Sequence, residues 1–144
     1  MTTFPHLFEP IELGGLEIRN RIIFGPHGTS QGRTPGTMPD LVAYHAARAQ
    51  GGVGLIITEA HTVHESYEVR HNLLAVFVGN ISHLPQFGDG VIVAHGARMF
   101  GQLFHPGRSA AHRVNGALLP AYAPSEVPDE RHHVMPAPMS LAMI

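Results

Sequence analysis

The stretch Gly51-Gly52-Val53-Gly54-Leu55-Ile56-Ile57-Thr58-Glu59 decides the fold class. Its paired glycines end a helix, because glycine accepts the left-handed backbone that follows a last helical turn. The apolar run Val53–Thr58 behind them is too short for a helix and reads as a buried strand. Upstream, Pro39 and Asp40 open that helix: proline suits its first turn and an acid suits its positive end. Leu41, Tyr44 and Ala47 share one side of it, Val42, Ala46 and Ala49 another, and Arg48 falls in the last turn. Further upstream, Arg21-Ile22-Ile23-Phe24, stopped by Gly25-Pro26, reads as an earlier strand buried on both faces, with loop from Gly28 to Gly36. Before it, alternating runs flank Gly14-Gly15, which predicts a β-hairpin over 10–19.

Downstream, Glu59 to Asn80 is polar and resists assignment. Leu84, Phe87, Val91 and Ala94 recur at helical spacing, although Gly88 and Gly90 each cost up to ~1 kcal/mol against alanine; His95-Gly96 closes that segment. Arg98 to Phe104 reads as a third strand. Residues 105–139 carry six of the 12 prolines and show no period, as a long ordered loop or a small capping subdomain would.

Strands alternating with helices imply right-handed βαβ units and a parallel sheet. Three such strands and two helices cannot cover both sheet faces, and Ser140–Ile144 reads as the start of another helix. The expected fold is therefore α/β: an incomplete (β/α)8 barrel in which 1–144 is the N-terminal part of one domain. Such a chain is either a fragment or one half of a split protein that needs a partner chain.

The composition narrows the classes. The chain has 144 residues, 44% of them apolar, a net charge of −2, 12 histidines and no cysteine. That excludes a disulfide framework, thiolate-held clusters and a cysteine nucleophile. No apolar run approaches the ~20 residues of a membrane span, the start lacks a secretory signal, and no basic patch suggests nucleic acid. A cytoplasmic globular protein is expected. His61-x-x-His64 and His132-His133 lack a third ligand at diagnostic spacing, so no metal site is expected. Pro120, Pro124 and Pro128 recur every fourth residue, unlike a polyproline ligand.

In a barrel, chemistry gathers at the C-terminal strand ends. The first strand runs into Gly25-Pro26-His27-Gly28-Thr29, the second into Glu59-Ala60-His61, and the third delivers Gln102-Leu103-Phe104-His105-Pro106-Gly107-Arg108. Glu59 reads as a structural hydrogen-bond partner at this rim rather than a general base.

These residues carry a resemblance. Leu7-Phe8-Glu9-Pro10-Ile11, Asn20-Arg21-Ile22, Gly25-Pro26, the stretch 51–59 and the segment 102–108 together resemble the N-terminal part of the old yellow enzyme family of NADH:flavin oxidoreductases. The resemblance implies an FMN-binding TIM barrel, with NADH or NADPH as electron donor and a small-molecule substrate. The reaction it implies is hydride transfer through flavin N5 to an activated alkene, such as an enone or dienoyl thioester. It implies that Gly25, Pro26, His27, Gly28, Ala60 and Gln102 contact the flavin, and that His105 and Arg108 touch substrate or brace the rim. The family's catalytic pair and phosphate-binding loops come from the fourth strand onwards, beyond Ile144. Many members carry Thr or Cys where this chain has Gly28. Members of the N-methyl amine dehydrogenase type, an alternative reading, have an aromatic wall where this chain has Ala60. A non-catalytic half-barrel subunit is the other alternative.

On this reading the isolated 144-residue chain does not retain FMN one-to-one and associates through the unpaired edges of its apolar strands. Flavin absorbance measured beside sizing chromatography checks both; a sharp monomer peak carrying stoichiometric flavin is the contrary result.

Overall fold

The computed structural model describes residues 4–29, 31, 37–64, 74–75, 88, 94–110, 113–114 and 116–143. The chain enters through a 3-10 turn, Pro5–Phe8, and then forms the expected hairpin: β1 (Ile11–Leu13) pairs antiparallel with β2 (Leu16–Ile18), Leu13 opposite Leu16. Gly14 and Gly15 have φ of 58° and 81°, the paired positive values of the turn that matches strand twist.

Two residues after the hairpin fasten it to the rest of the molecule. The Arg19 guanidinium donates to the carbonyls of His95, Ala49 and Val53 at 2.7–2.8 Å. Asn20 donates to Gly52 O at 2.7 Å and accepts from Ile22 N–H at 3.1 Å. Together they fill acceptors around the end of a helix, where the last carbonyls lack the usual helical partner.

That helix, α1 (Met38–Gln50), begins one residue before Pro39 and ends at the glycine pair, as the sequence predicts. Its fully buried stripe is Leu41, His45 and Ala49, with Val42 and Ala46 packed beside it, whereas Ala47 is exposed. The inward face is thus rotated from the Leu41–Tyr44–Ala47 side and takes in a histidine. Ala49 meets Ile56 and Ala97, and Phe24, Val53 and Met99 close the same cluster.

The sheet consists of β3 (Ile23–Phe24), β4 (Leu55–Thr62), β5 (Leu74–Ala75) and β6 (Arg98–Phe104), all parallel. β4 is central: β3 and β5 pair along one side and β6 along the other, with Ile23 opposite Leu55 and Arg98 opposite Leu55. The third strand has the expected bounds. Two expectations change. β3 is shorter than Arg21–Phe24 and is not buried on both faces, because α1 covers Phe24 while Ile23 stays 54% exposed with no described element over it. β4 continues through Glu59, Ala60 and His61 to Thr62 instead of stopping at Thr58, because β5 and β6 both extend its ladder at 61–62. Among the described residues the sheet does not close into a barrel, and β6 pairs only with β4.

The helix expected around 84–94 and most of the polar stretch 59–80 lie outside the described residues; Ala94 and His95 are helical. The described residues of 105–139, called the cap below, share a small core of their own, Ala110, Ala121 and Val134. They contain a 3-10 turn (Gly107–Ser109), the antiparallel pair β7 (Arg113–Val114) and β8 (Ala117–Leu118), and the parallel pair β9 (Tyr122–Ala123) and β10 (Ala137–Pro138). Asp129 knots the cap, accepting from the Ser109 hydroxyl and from His132 N–H, while His133 takes φ of 53° in the tight turn to Val134. At the end, the described part of 140–144 is a single 3-10 turn, Leu141–Met143.

Gly54 is where the hairpin's tail crosses closest to the sheet. A Cβ there would lie 2.5 Å from Asn20 Oδ1 and 2.7 Å from Asn20 O. Gly54→Ala therefore displaces backbone as well as side chain and is expected to destabilise the fold by about 1–3 kcal/mol, the usual cost of overpacking. Chemical denaturation beside the parent measures it; an unchanged midpoint contradicts this packing.

Candidate functional site

Three parallel strands end on one side of the sheet. After Phe24, β3 turns through Gly25, Pro26, His27 and Gly28, all exposed, and a Cβ added at Gly25 or Gly28 would project into open space. The turn's far end is held: Thr29 N–H donates to Glu59 Oε2 at 2.7 Å, and the Thr29 hydroxyl lies 3.3–3.4 Å from both Glu59 carboxyl oxygens. Glu59 is only 1% exposed. The sequence anticipated a structural Glu59 at this rim; the register of β4 supplies its partner.

Ala60 on β4 stands directly opposite Gln102 on β6, both half-buried, and no described residue hydrogen-bonds the Gln102 carboxamide. That amide offers one donor side and one acceptor side at a strand end. Buried behind them, Thr58 Oγ1 and His61 Nε2 are 2.6 Å apart. The open turn, the small Ala60 and the unengaged amide suit the edge of a flat, polar-rimmed ring that needs close backbone approach. On this observation the residues present fit a flavin.

Just past β6, His105 Nδ1 accepts from Gly107 N–H at 3.1 Å, which makes Nε2 the protonated nitrogen of its neutral ring. Its ring meets His64 edge-on at 5.9 Å, and His64 meets Tyr122 at 5.8 Å. Burial, then the nearby His64, lowers the His105 pKa below the usual histidine range. Arg108 is exposed and leans toward the cap, its Nη1 3.4 Å from Pro128 O. The structure thus gathers Gly25–Gly28, Ala60 and Gln102 on one rim and sets His105 and Arg108 on the path into the cap. Among the described residues no group of three or more His, Cys, Asp or Glu is placed to hold a metal, and no helix is long and apolar enough to cross a membrane.

An aromatic cluster beneath the turn escaped the sequence reading. The Tyr44 ring lies 6.2 Å from His27, 6.1 Å from Phe24 and 5.3 Å from His45, and the Arg48 guanidinium sits 3.3 Å from the Tyr44 ring centre. Arg48 also donates to Tyr44 O at 2.7 Å. The available signal was the Tyr44-x-x-x-Arg48 spacing, which puts both side chains on one helix face.

A sequence model of the NADH:flavin oxidoreductase / NADH oxidase family matches residues 6–139. The chain is 36% identical over 132 residues to an NADH oxidase of Thermoanaerobacter brockii, covering 89% of this chain and 20% of that protein. It is 31% identical over 142 residues to an NADPH dehydrogenase of Bacillus pumilus, covering 96% and 40%. The fold matches the old yellow enzyme of a Pichia species with a TM-score of 0.73 at 23% identity, over 96% of this chain and 38% of that one. It also matches histamine dehydrogenase from a Rhizobium species with a TM-score of 0.76 at 23% identity, over 98% and 20%. The chain belongs to the NADH:flavin oxidoreductase / NADH oxidase family, and it spans 20% and 40% of the two curated relatives described. Its α/β fold is that of the corresponding part of old yellow enzyme barrels.

His45 provides a pH test of the cluster under the turn. Burial, then Arg48 and His27, lowers its pKa from 6.5 to about 4. The unfolded chain takes up a proton at 6.5 that the folded chain refuses until about 4. Stability therefore falls as pH drops through that window, by on the order of 2–3 kcal/mol, and is fully present above it. Denaturation midpoints of the parent and His45→Leu across the window check this; parallel pH profiles for the two proteins contradict it.

Proposed function

We propose that residues 1–144 are the N-terminal part of a single FMN-binding barrel domain, and that the completed protein is an FMN-dependent oxidoreductase. It draws hydride from NADH or NADPH and delivers it to an activated alkene, an enone or a dienoyl thioester. The observation that carries this reading is the register pair Ala60–Gln102 at the C-terminal end of parallel strands, beside an open Gly25–Gly28 turn. Bound FMN supplies the hydride-carrying centre.

The chain's own residues bind and orient. The Gln102 carboxamide pairs with the pyrimidine edge of the ring, donor to acceptor and acceptor to donor. Backbone of Gly25, Pro26, His27 and Gly28 lies against the ring, where a side chain at Gly25 or Gly28 would occupy the space left open. Ala60 keeps the flank of Gln102 clear. His105 and Arg108, between the rim and the cap, brace the rim or touch substrate. Ala60 leaves no aromatic wall for a methylated amine, which favours the alkene over the amine substrate.

A second reading concerns assembly. Leu103 is 67% exposed and Phe100 40% on β6, whose outer edge has no described partner. These features support completion of the barrel by further strands, from the same polypeptide or from a partner chain, without which the segment is inactive.

Gln102 is the side chain on which flavin affinity depends most in this segment. In the completed barrel, Gln102→Leu is expected to weaken FMN binding by roughly five- to 150-fold, because an unsatisfied polar edge in a buried site costs about 1–3 kcal/mol. Ala60→Ser should do much less, since a small side chain remains. Flavin titration of both variants beside the parent measures this; parent-like affinity in Gln102→Leu removes the basis of the site.

A further inference from the structure

The pairing of β4 with β6 slips once. Ile57 stands opposite Phe100 and Ala60 opposite Gln102, so Thr58 and Glu59 together face the single residue Gly101. This is a β-bulge, a device that re-aims side chains beside functional sites. Without the slip, Glu59 would stand opposite Gln102 and place a carboxyl group against the edge that the carboxamide reads. With it, Ala60 takes that place and Glu59 turns into the protein, where it is 1% exposed and receives Thr29 N–H at 2.7 Å.

The consequence concerns the turn. Its near end is fixed by the pairing of Phe24 with Ile56, and its far end by the bond from Thr29 to Glu59, so both ends are anchored on β4. Thr29 Oγ1 also accepts from Gln31 N–H at 3.1 Å, which extends the anchored segment past the turn. Between the anchors lie two glycines with no side chain to restrain them. Such a segment is costly to order when a ligand arrives, and holding it beforehand saves affinity that ordering would consume.

We propose that Glu59 is a positioning residue: delivered by the bulge opposite Gly101, its carboxyl group sets the Gly25–Gly28 turn at the height at which its backbone meets the flavin. This rests on the reading of that turn as a flavin contact. Reach, not charge, is what the role requires.

The test compares Glu59→Gln with Glu59→Asp in the completed flavoprotein, titrated with FMN, with thermal unfolding of each apoprotein and amide exchange at Thr29. Glu59→Gln keeps a carbonyl oxygen at the same reach and is expected to hold FMN within about threefold of the parent, with Thr29 still protected. Glu59→Asp keeps the acid but withdraws it by one methylene. It is expected to lose about tenfold in affinity, equivalent to ~1.4 kcal/mol, together with protection at Thr29, and to unfold at a lower midpoint because the withdrawn carboxyl group stays buried without its partner. The reverse order, Asp retaining affinity and Gln losing it, makes Glu59 an electrostatic group and overturns the proposal. Equal affinity in all three proteins also overturns it and leaves the flavin site standing. A parent that binds no FMN fails the flavin reading itself, and this proposal with it.

Discussion

Every parallel pairing in the sheet passes through β4, and the rest of the structure is arranged around what that strand demands. It has neighbours on both sides and is almost continuously buried from Leu55 to Thr62. Yet its second half carries Thr58, Glu59, His61 and Thr62, four polar side chains in an interior position. Buried polar groups need partners or they cost stability. Thr58 and His61 meet each other, Thr62 reaches His64 O, and Glu59 reaches across to the segment that follows β3. Satisfying Glu59 therefore requires a particular path for the β3 turn.

The start of β4 is constrained in a different way. Arg19 and Asn20 leave the hairpin and fill acceptors at Ala49, Gly52 and Val53, where α1 ends and β4 begins. Gly54 leaves the room for Asn20 to do so. Arg19 and Asn20 thus tie the hairpin's tail to the helix end and make it a fixed corner. From that corner β4 runs to the rim, and the polar residues at its far end meet the strand-end loops. One strand connects the helix-end corner to the strand-end loops.

The cap has its own logic. Its small alanine and valine core holds little apolar area, and Asp129 supplies the organisation instead, drawing Ser109 and the turn at His132 together. The Ser109 hydroxyl, then the backbone of His132, hold the Asp129 carboxyl at a pKa of about 2, well below the usual range. Because this cap begins at the end of β6, it sets the direction in which His105 and Arg108 leave the rim.

Much of this was legible in the residues themselves. Gly14-Gly15 between alternating runs encodes the hairpin, because a two-residue turn needs two positive φ values. Pro39-Asp40 and Gly51-Gly52 bracket α1, and the apolar run from Arg98 sets the third strand. These are local signals, read from neighbours in sequence. The motif resemblance likewise placed Gly25–Gly28, Ala60 and Gln102 at strand ends, and the structure brings them to one rim.

What sequence could not decide is what depends on pairing partners far along the chain. The face of α1 that turns inward, Leu41–His45–Ala49, was set by which sheet it meets, not by its own periodicity, because alanine-rich sides look alike. The length of β4 was set by β5 and β6, whose hydrogen bonds extend a ladder through residues that their own sequence leaves unassigned. The bulge is invisible locally: it is a mismatch of count between two strands about forty residues apart. It decides whether Glu59 or Ala60 stands beside Gln102. By itself the sequence determined which residues come at the strand ends; the tertiary pairing decided which of them stand opposite one another, because register is a property of two strands and not of one.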